Sequence, residues 1–185
     1  MINQISHSLL MIKRFKKDNL FPEHHVNMVA RNETAVSILL SHNHILLLKR
    51  RARSDDPWSG DMCFPGGFVK EGETPYKASI RELREETGIE DRFVDFQFEH
   101  EVFHPVKSSS INVHPFVYLC KEMATVIPDP EIERGGWYKL GSEVKAHDQN
   151  KGDYIIWNED IVWGLTFRIY DSLKNMLYEM SRNND

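Results

Sequence analysis

Apolar residues recur at intervals of three and four positions in three parts of the chain, a spacing typical of one buried face of an α-helix. The spacing predicts helices over residues 1–20, 74–87 and 161–181. The apolar faces of the first and last helices are formed by Ile2, Ile5, Leu9 and Ile12 and by Leu165, Ile169, Leu173, Met176 and Leu177.

The helix over residues 74–87 also has its own start and stop signals. The hydroxyl of Thr74 can cap the free backbone N–H groups of the first turn, and Pro75 suits the first helical position. Gly88 can adopt the left-handed conformation that often ends a helix. We therefore expect local sequence to set the bounds of this helix.

Shorter apolar runs between these segments predict strands. The runs TAVSILL and ILLLKR are separated by the turn residues SHNH and predict a β-hairpin over residues 34–50. Because strands and helices are intermixed, we expect a layered α/β domain. The remaining predicted segments are strands over 93–104, 111–121 and 136–140, a polar loop over 51–61 and a short extended stretch over 62–69.

The composition agrees with a globular protein. The 185 residues suit one domain, and 41% of them are hydrophobic. The net charge of −5 argues against a general nucleic-acid-binding protein. No apolar run reaches the roughly 18 residues of a membrane-spanning helix, and the apolar residues 9–12 are followed by basic ones, unlike a secretory signal. We expect a cytoplasmic protein without a membrane partner, with Cys63 and Cys120 as free thiols.

The candidate chemistry lies on the middle helix. Glu82, Glu85 and Glu86 are three and four positions apart, so their carboxylates meet on one face and repel one another. One interpretation is a solvated acidic face balanced by Arg81 and Arg84. The other is a site for a hard cation such as Mg²⁺ or Mn²⁺, which prefers carboxylate oxygens and commonly binds substrate phosphates as well.

The residues around this helix match a known family pattern, G-x5-E-x7-R-E-U-x-E-E-x-G-U, in which U is aliphatic. The chain therefore resembles the Nudix hydrolases. The resemblance implies an α/β/α sandwich with a mixed sheet, and hydrolysis of a nucleoside diphosphate linked to another group X with Mg²⁺ or Mn²⁺. The matching residues are Gly67, Glu73, Arg81, Glu82, Leu83, Glu85, Glu86, Gly88 and Ile89.

The resemblance also implies roles for individual residues. The metal ligands would be the carboxylates of Glu82, Glu85 and Glu86 and the carbonyl of Gly66, and the catalytic residues Glu82, Glu85 and Arg81. A buried ion pair between Arg81 and Glu73 would lock the preceding loop onto the helix, which is a scaffold role. The general base would be Glu82, or a residue of a later loop, where the candidates are Glu131 and Glu133.

The run before the helix resembles one branch of that family, the coenzyme A pyrophosphatases. Ala52, Asp55 and Asp61 depart from the branch pattern. The stretches over residues 113–119 and 161–169 also resemble this branch, so the similarity covers about residues 35–175. The positions that match are Leu47, Leu48, Arg51, Gly60, Phe64, Pro65, Gly66 and Gly67.

Four residues near this run are candidates for binding the substrate. Arg50, Arg51 and Arg53 form a local basic cluster with Lys49 that could hold a phosphate group, or could be surface charges beside acidic neighbours. Trp58 could stack on a base or cap its loop. Two of the nine histidines, His100 and His104, share one predicted strand face, for which we expect a structural or surface role.

These observations leave three hypotheses for function. The first is a metal-dependent diphosphatase that cleaves coenzyme A or its acyl derivatives into 4′-phosphopantetheine and 3′,5′-ADP. The second is a related enzyme acting on ADP-ribose or another nucleotide, and the third is a module that senses a nucleotide without cleaving it. We expect residues 1–30 to be a helical extension and residues 31–185 to be the hydrolase domain, with a homodimer as one possible assembly.

Overall fold

The computed structural model describes residues 32–54 and 59–182. The predicted helix over residues 1–20, the extension over residues 1–30 and Trp58 lie outside these ranges. Within them, no helix is both long and apolar enough to cross a membrane.

The predicted helix in the middle of the chain is confirmed as α1 (Pro75–Thr87). The hydroxyl of Thr74 accepts a hydrogen bond of 3.2 Å from the N–H of Lys77, and Pro75 occupies the first turn. Gly88 has a φ of 72° and donates its N–H to the carbonyl of Arg84. These local caps bring the chain into the helix and out of it at the predicted positions.

The last predicted helix is confirmed as α2 (Gly164–Arg182), with a later start than expected. Residues 160–162 form a strand instead, and Gly164, with a φ of 61°, turns the chain into the helix. Ile169, Leu173 and Leu177 are buried, as the apolar spacing predicts.

The larger sheet is mixed. Its central strand β1 runs parallel to β6, and every other named strand pair in this sheet is antiparallel. The path across the sheet is β3-β2-β1-β6-β5, with β4 also paired to β1 and β7 to β2. Its strands among the described residues are β1 (Glu33–Ser41), β2 (His44–Arg50), β3 (Met62–Cys63), β4 (Gly66–Phe68), β5 (Val94–Glu99), β6 (Asn112–Cys120) and β7 (Ile132–Lys139).

A smaller sheet was not predicted from the sequence. It consists of β8 (Val144–Asp148), β9 (Gly152–Trp157) and β10 (Asp160–Val162). Its first strand is mostly polar, the apolar run of its second strand is four residues long and its last strand has three residues, so the local pattern was too weak to indicate them. It is attached to the core through Ile155, Trp157 and Val162, which pack against residues of the larger sheet and α2.

The helices lie on opposite faces of the larger sheet, which confirms the expected sandwich. On one face, Ala78 and Leu83 of α1 pack with Ala35, Phe116 and Tyr118 of the sheet. The other face carries α2 and the residues of the smaller sheet. Cys63 and Cys120 do not form a disulfide with each other.

Candidate active site

The site is built where β4 leads into α1. β4 pairs with the first half of β1, and the N–H of Ser37 donates to the carbonyl of Pro65 at 2.8 Å. The chain then crosses residues 69–74 and returns as α1, so α1 lies back across β4. Residues about 20 positions apart in sequence therefore face one another.

Two glycines allow this close approach. A Cβ on Gly66 would lie 2.4 Å from the backbone oxygen of Ala35, and a Cβ on Gly67 would lie 2.5 Å from Oε1 of Glu82. The first contact is with backbone and excludes a side chain at residue 66, whereas the second is with a carboxylate that would have to move. The Pro-Gly-Gly break therefore serves packing between β1, β4 and the acidic face of α1.

Glu86 is the most buried carboxylate of the acidic face, with 7% of its surface exposed. Its Oε2 accepts a hydrogen bond of 2.8 Å from the N–H of Gly66. The pKa of Glu86 is raised to about 8, mainly by burial and also by the negative charges of Glu82 and Asp129. The Gly66 hydrogen bond and the positive charge of Arg50 act in the opposite direction. A cation at this position would remove that penalty and keep the carboxylate ionised.

Arg81 organises the rest of the acidic face. It forms the predicted ion pair with Glu73, through two hydrogen bonds of 2.9 Å, and both side chains are 14% exposed. The same guanidinium donates to the carbonyl of Phe68 at 3.0 Å, and its Nη1 contacts both Glu82 and Glu85. The hydrogen bond from Arg81 lowers the pKa of Glu73, and the carboxylates raise the pKa of Arg81.

The expected donor set for a hard cation is thus close together. Among the described residues, however, no three Asp, Glu, His or Cys side chains already converge as a metal site. The reason lies in the contacts above: Glu82 and Glu85 point to Arg81, and Glu86 points to the N–H of Gly66. Carboxylates and a backbone carbonyl fit Mg²⁺ or Mn²⁺ in chemistry, and a cation would need the Glu82 and Glu85 side chains to rotate from Arg81.

In the structure, the four residues of the predicted basic cluster contact different partners. Arg50 lies on the α1 side of the sheet, where its charge acts on Glu86. Lys49, one residue earlier in β2, points elsewhere and pairs with Asp160 at 3.3 Å. Arg51 donates to the carbonyls of Pro130 and Ile132 at 2.9 and 3.4 Å, and Arg53 pairs with Glu131 at 3.5 Å. Alternation along a strand explains why adjacent basic residues do not form one patch.

Of the candidate bases, Glu131 lies on the loop that Arg51 and Arg53 contact, and Glu133 lies at the start of β7. Glu131 and Glu133 are both exposed, and Glu131 is the one held by Arg53. Sequence reasoning missed Asp129, whose Oδ1 accepts from the N–H groups of Glu131 and Ile132 and whose charge acts on Glu86. The turn-forming stretch PDPEI was the available signal, since an Asp there commonly caps its own turn.

Histidines occupy structural positions. Nε2 of His100 lies 3.1 Å from the hydroxyl of Ser172, and Nδ1 of His104 lies 3.1 Å from the carbonyl of Ile111. His114, which the sequence did not single out, bridges Glu33 and Glu99 at 2.6 and 2.8 Å. These two carboxylates raise the pKa of His114, so its protonated form is favoured.

A family comparison matches residues 31–157 to the model described as NUDIX domain. The chain belongs to the NUDIX domain family. This match covers more than half of the chain and includes β4, α1 and the loop that carries Asp129. The match therefore confirms the family that the sequence motif around the acidic helix predicted.

Curated Nudix relatives cover parts of the chain. The chain is 46% identical over 52 residues to an ADP-ribose pyrophosphatase of Methanocaldococcus jannaschii. The aligned residues make up 28% of this chain and 29% of that protein. It is also 42% identical over 57 residues to an 8-oxo-dGTP diphosphatase of Escherichia coli. Those residues make up 31% of this chain and 43% of that protein. The chain thus spans less than half the length of these relatives, and neither name is a coenzyme A pyrophosphatase.

A solved structure shows the same Nudix fold. A bifunctional NMN adenylyltransferase/ADP ribose pyrophosphatase from Francisella tularensis superposes with a TM-score of 0.59 at 21% identity. The superposition covers 94% of this chain and 47% of that one. At this identity the likeness concerns the fold.

Proposed function

We propose that the protein is a metal-dependent diphosphatase that hydrolyses a nucleoside diphosphate linked to another group. The observation that carries the proposal is the buried Glu86, which is hydrogen-bonded to Gly66 and near the negative charges of Glu82 and Asp129. A purely structural helix has no use for a buried carboxylate beside two more acidic groups. A cation makes the arrangement favourable, because it neutralises the like charges that otherwise oppose one another.

Glu82, Glu85, Glu86 and the carbonyl of Gly66 would hold Mg²⁺ or Mn²⁺. The cation would neutralise the diphosphate and lower the pKa of a bound water. Arg81 would remain on Glu73 and Phe68 and keep α1 in register with β4, which makes it a positioning residue.

The reaction balances as a hydrolysis. A water oxygen forms a bond to one phosphorus of the diphosphate while the bridging P–O bond breaks, and the leaving phosphate takes the electron pair of that bond. The water proton passes to a base. Glu131 is our candidate, since it pairs with Arg53 at 3.5 Å on a loop whose Asp129 acts on Glu86.

For the substrate, we propose coenzyme A or an acyl-coenzyme A as the first candidate. The support is the resemblance of the run before α1, in which Arg51 anchors the loop over residues 130–132. The similarity to the ADP-ribose pyrophosphatase of M. jannaschii supports ADP-ribose as the second candidate. One solved relative is described as complexed with AMP and a Mn ion, which suits a nucleotide and Mn²⁺.

A substrate panel tests both levels of this proposal. The protein is incubated with Mg²⁺ or Mn²⁺ and with coenzyme A, acetyl-coenzyme A, ADP-ribose, NADH or nucleoside triphosphates, and the products are identified by mass spectrometry. We expect metal-dependent release of 4′-phosphopantetheine from coenzyme A, abolished in Glu85→Gln. Cleavage of ADP-ribose alone would overturn the coenzyme A assignment and keep the diphosphatase. Tight binding of one compound without cleavage would overturn the enzyme and favour a sensor.

A further inference from the structure

One cavity of the described residues lies away from the acidic face. It is an open groove of about 620 Å³ between α2 and the segment that follows β5. Phe103 and Phe167 form its buried apolar floor, and Met176 is half-buried at its side. Both rings are 8% exposed, so the groove offers a narrow strip of apolar surface, on a face that none of the proposed catalytic residues uses.

Acidic side chains border this floor. Asp171 is balanced by Lys145 at 2.6 Å. Within the described part of the chain, neither Glu101 nor Glu179 forms an ion pair, and Glu101 accepts its hydrogen bond from the hydroxyl of Ser172. Burial lowers the pKa of His100, so this ring does not neutralise Glu101 at neutral pH. The one basic side chain lining the groove in the described residues, Arg168, donates to the carbonyl of His104.

The N-terminal segment has the complementary composition. Residues 1–31 contain five basic and two acidic residues, a net charge of +3, whereas residues 32–185 have a net charge of −8. The apolar stripe Ile2, Ile5, Leu9 and Ile12 is followed at once by Lys13, Arg14, Lys16 and Lys17. An apolar stripe beside a basic cluster matches an apolar floor bordered by carboxylates.

The place where β1 begins makes the groove accessible to this segment. Just before β1, the carbonyl of Asn32 accepts a hydrogen bond from the N–H of Asn112, the first residue of β6. Val113, the next residue of β6, exchanges two backbone hydrogen bonds with Phe103. The floor of the groove is therefore about two strand spacings, roughly 10 Å, from the first residues of β1. Residues 18–31 can span up to about 45 Å when extended, so they can reach it.

We propose that the segment of residues 1–17 binds in this groove, with its apolar stripe on Phe103, Phe167 and Met176 and its basic residues beside Glu101 and Glu179. A second copy of the chain is a poorer occupant, because two copies of the same acidic face would repel one another. The proposal does not depend on the hydrolase activity.

Carbodiimide cross-linking of the full-length protein tests this assignment. The reagent joins lysine amines to carboxylates in direct contact, and the protein is an equal mixture of ¹⁴N- and ¹⁵N-labelled chains. We expect cross-links from Lys13, Lys16 or Lys17 to Glu101 or Glu179 that contain one isotope only. Cross-links of mixed isotope would instead place the segment of one chain in the groove of another. Absence of segment-to-groove cross-links, with other Lys–Glu pairs such as Lys70–Glu85 detected, would also overturn the proposal.

Hydrogen exchange provides a second readout. The charge-reversal variant Lys13→Glu, Lys16→Glu, Lys17→Glu should expose the groove, so that amides of residues 100–104 exchange about tenfold faster than in wild type. Amides of α1 should be unchanged. The variant Glu179→Gln should reproduce part of the effect, while Glu159→Gln, on an exposed turn distant in the chain, should not. Equal exchange of residues 100–104 in wild type and the charge-reversal variant would contradict the proposal.

Discussion

The guanidinium of Arg81 joins Glu73 to the acidic face of α1. It holds Glu73 through two hydrogen bonds of 2.9 Å, and its Nη1 contacts Glu82 and Glu85 at the same time. One positive charge thereby offsets three carboxylates and also ties α1 to the carbonyl of Phe68. The loop between β4 and α1 is fixed by this residue.

Replacing Arg81 with Lys should therefore lower stability as well as activity. A lysine keeps the charge but cannot form the paired hydrogen bonds to Glu73 together with the contact to Phe68. We expect a loss of about 2–3 kcal/mol in the free energy of unfolding, measured by urea denaturation. Arg84→Lys, on the exposed side of the same helix, is the matched control and should change stability by less than about 0.5 kcal/mol. An Arg81→Lys protein as stable as wild type would show that the hydrogen bonds between Arg81 and Glu73 do not stabilise the fold.

Removing the charge of Glu85 should separate activity from stability. Its side chain is 45% exposed and contacts Arg81 and Lys70, so Glu85→Gln should cost less than about 1 kcal/mol. Turnover should fall at least about a hundredfold if the carboxylate binds the cation. Activity and the thermal midpoint are measured on the same preparation. Retention of activity would remove Glu85 from the ligand set, and loss of the folded circular dichroism spectrum would show that the residue is structural.

The two glycines of the turn should respond differently to alanine. In Gly66→Ala the new methyl group would meet the backbone oxygen of Ala35 at 2.4 Å, which cannot move without disturbing β1. In Gly67→Ala it would meet the carboxylate of Glu82, which can rotate away. We expect Gly66→Ala to lower the thermal midpoint strongly, and Gly67→Ala to lower activity with a smaller loss of stability. The opposite order of the two thermal midpoints would contradict this placement of β4.

His114 should make stability depend on pH. Glu33 on β1 and Glu99 on β5 face its ring, and they raise its pKa above the ordinary value of about 6.5. Because the folded state holds the proton more tightly, this contribution is complete below about pH 6.5 and is lost as the pH rises through the raised pKa. Thermal midpoints of wild type and His114→Gln, measured from pH 5.5 to 9, should differ most at the acidic end. A difference that grows toward alkaline pH would mean that the neutral ring is the stabilising form.

Local sequence was sufficient for α1 and for the hairpin of β1 and β2. Thr74, Pro75 and Gly88 fix the ends of α1 through contacts within a few residues, and the hairpin is set by its apolar runs and its turn. The smaller sheet could not be predicted in this way, because β8, β9 and β10 are short and their buried residues Ile155, Trp157 and Val162 pack with residues distant in the chain.

The sequence alone determined that Glu82, Glu85 and Glu86 share a region of one helix, because the helical repeat brings positions three and four apart together. The tertiary structure decided which of them is buried, since the burial of Glu86 depends on β4 passing beneath α1 and on the N–H of Gly66, 20 positions away. It also decided the partners of two adjacent basic residues. Lys49 pairs with Asp160 on one side of the sheet, and the charge of Arg50 acts on Glu86 on the other side. The physical reason is that helix periodicity is a local property, whereas burial and charge pairing depend on which distant segments the sheet brings together.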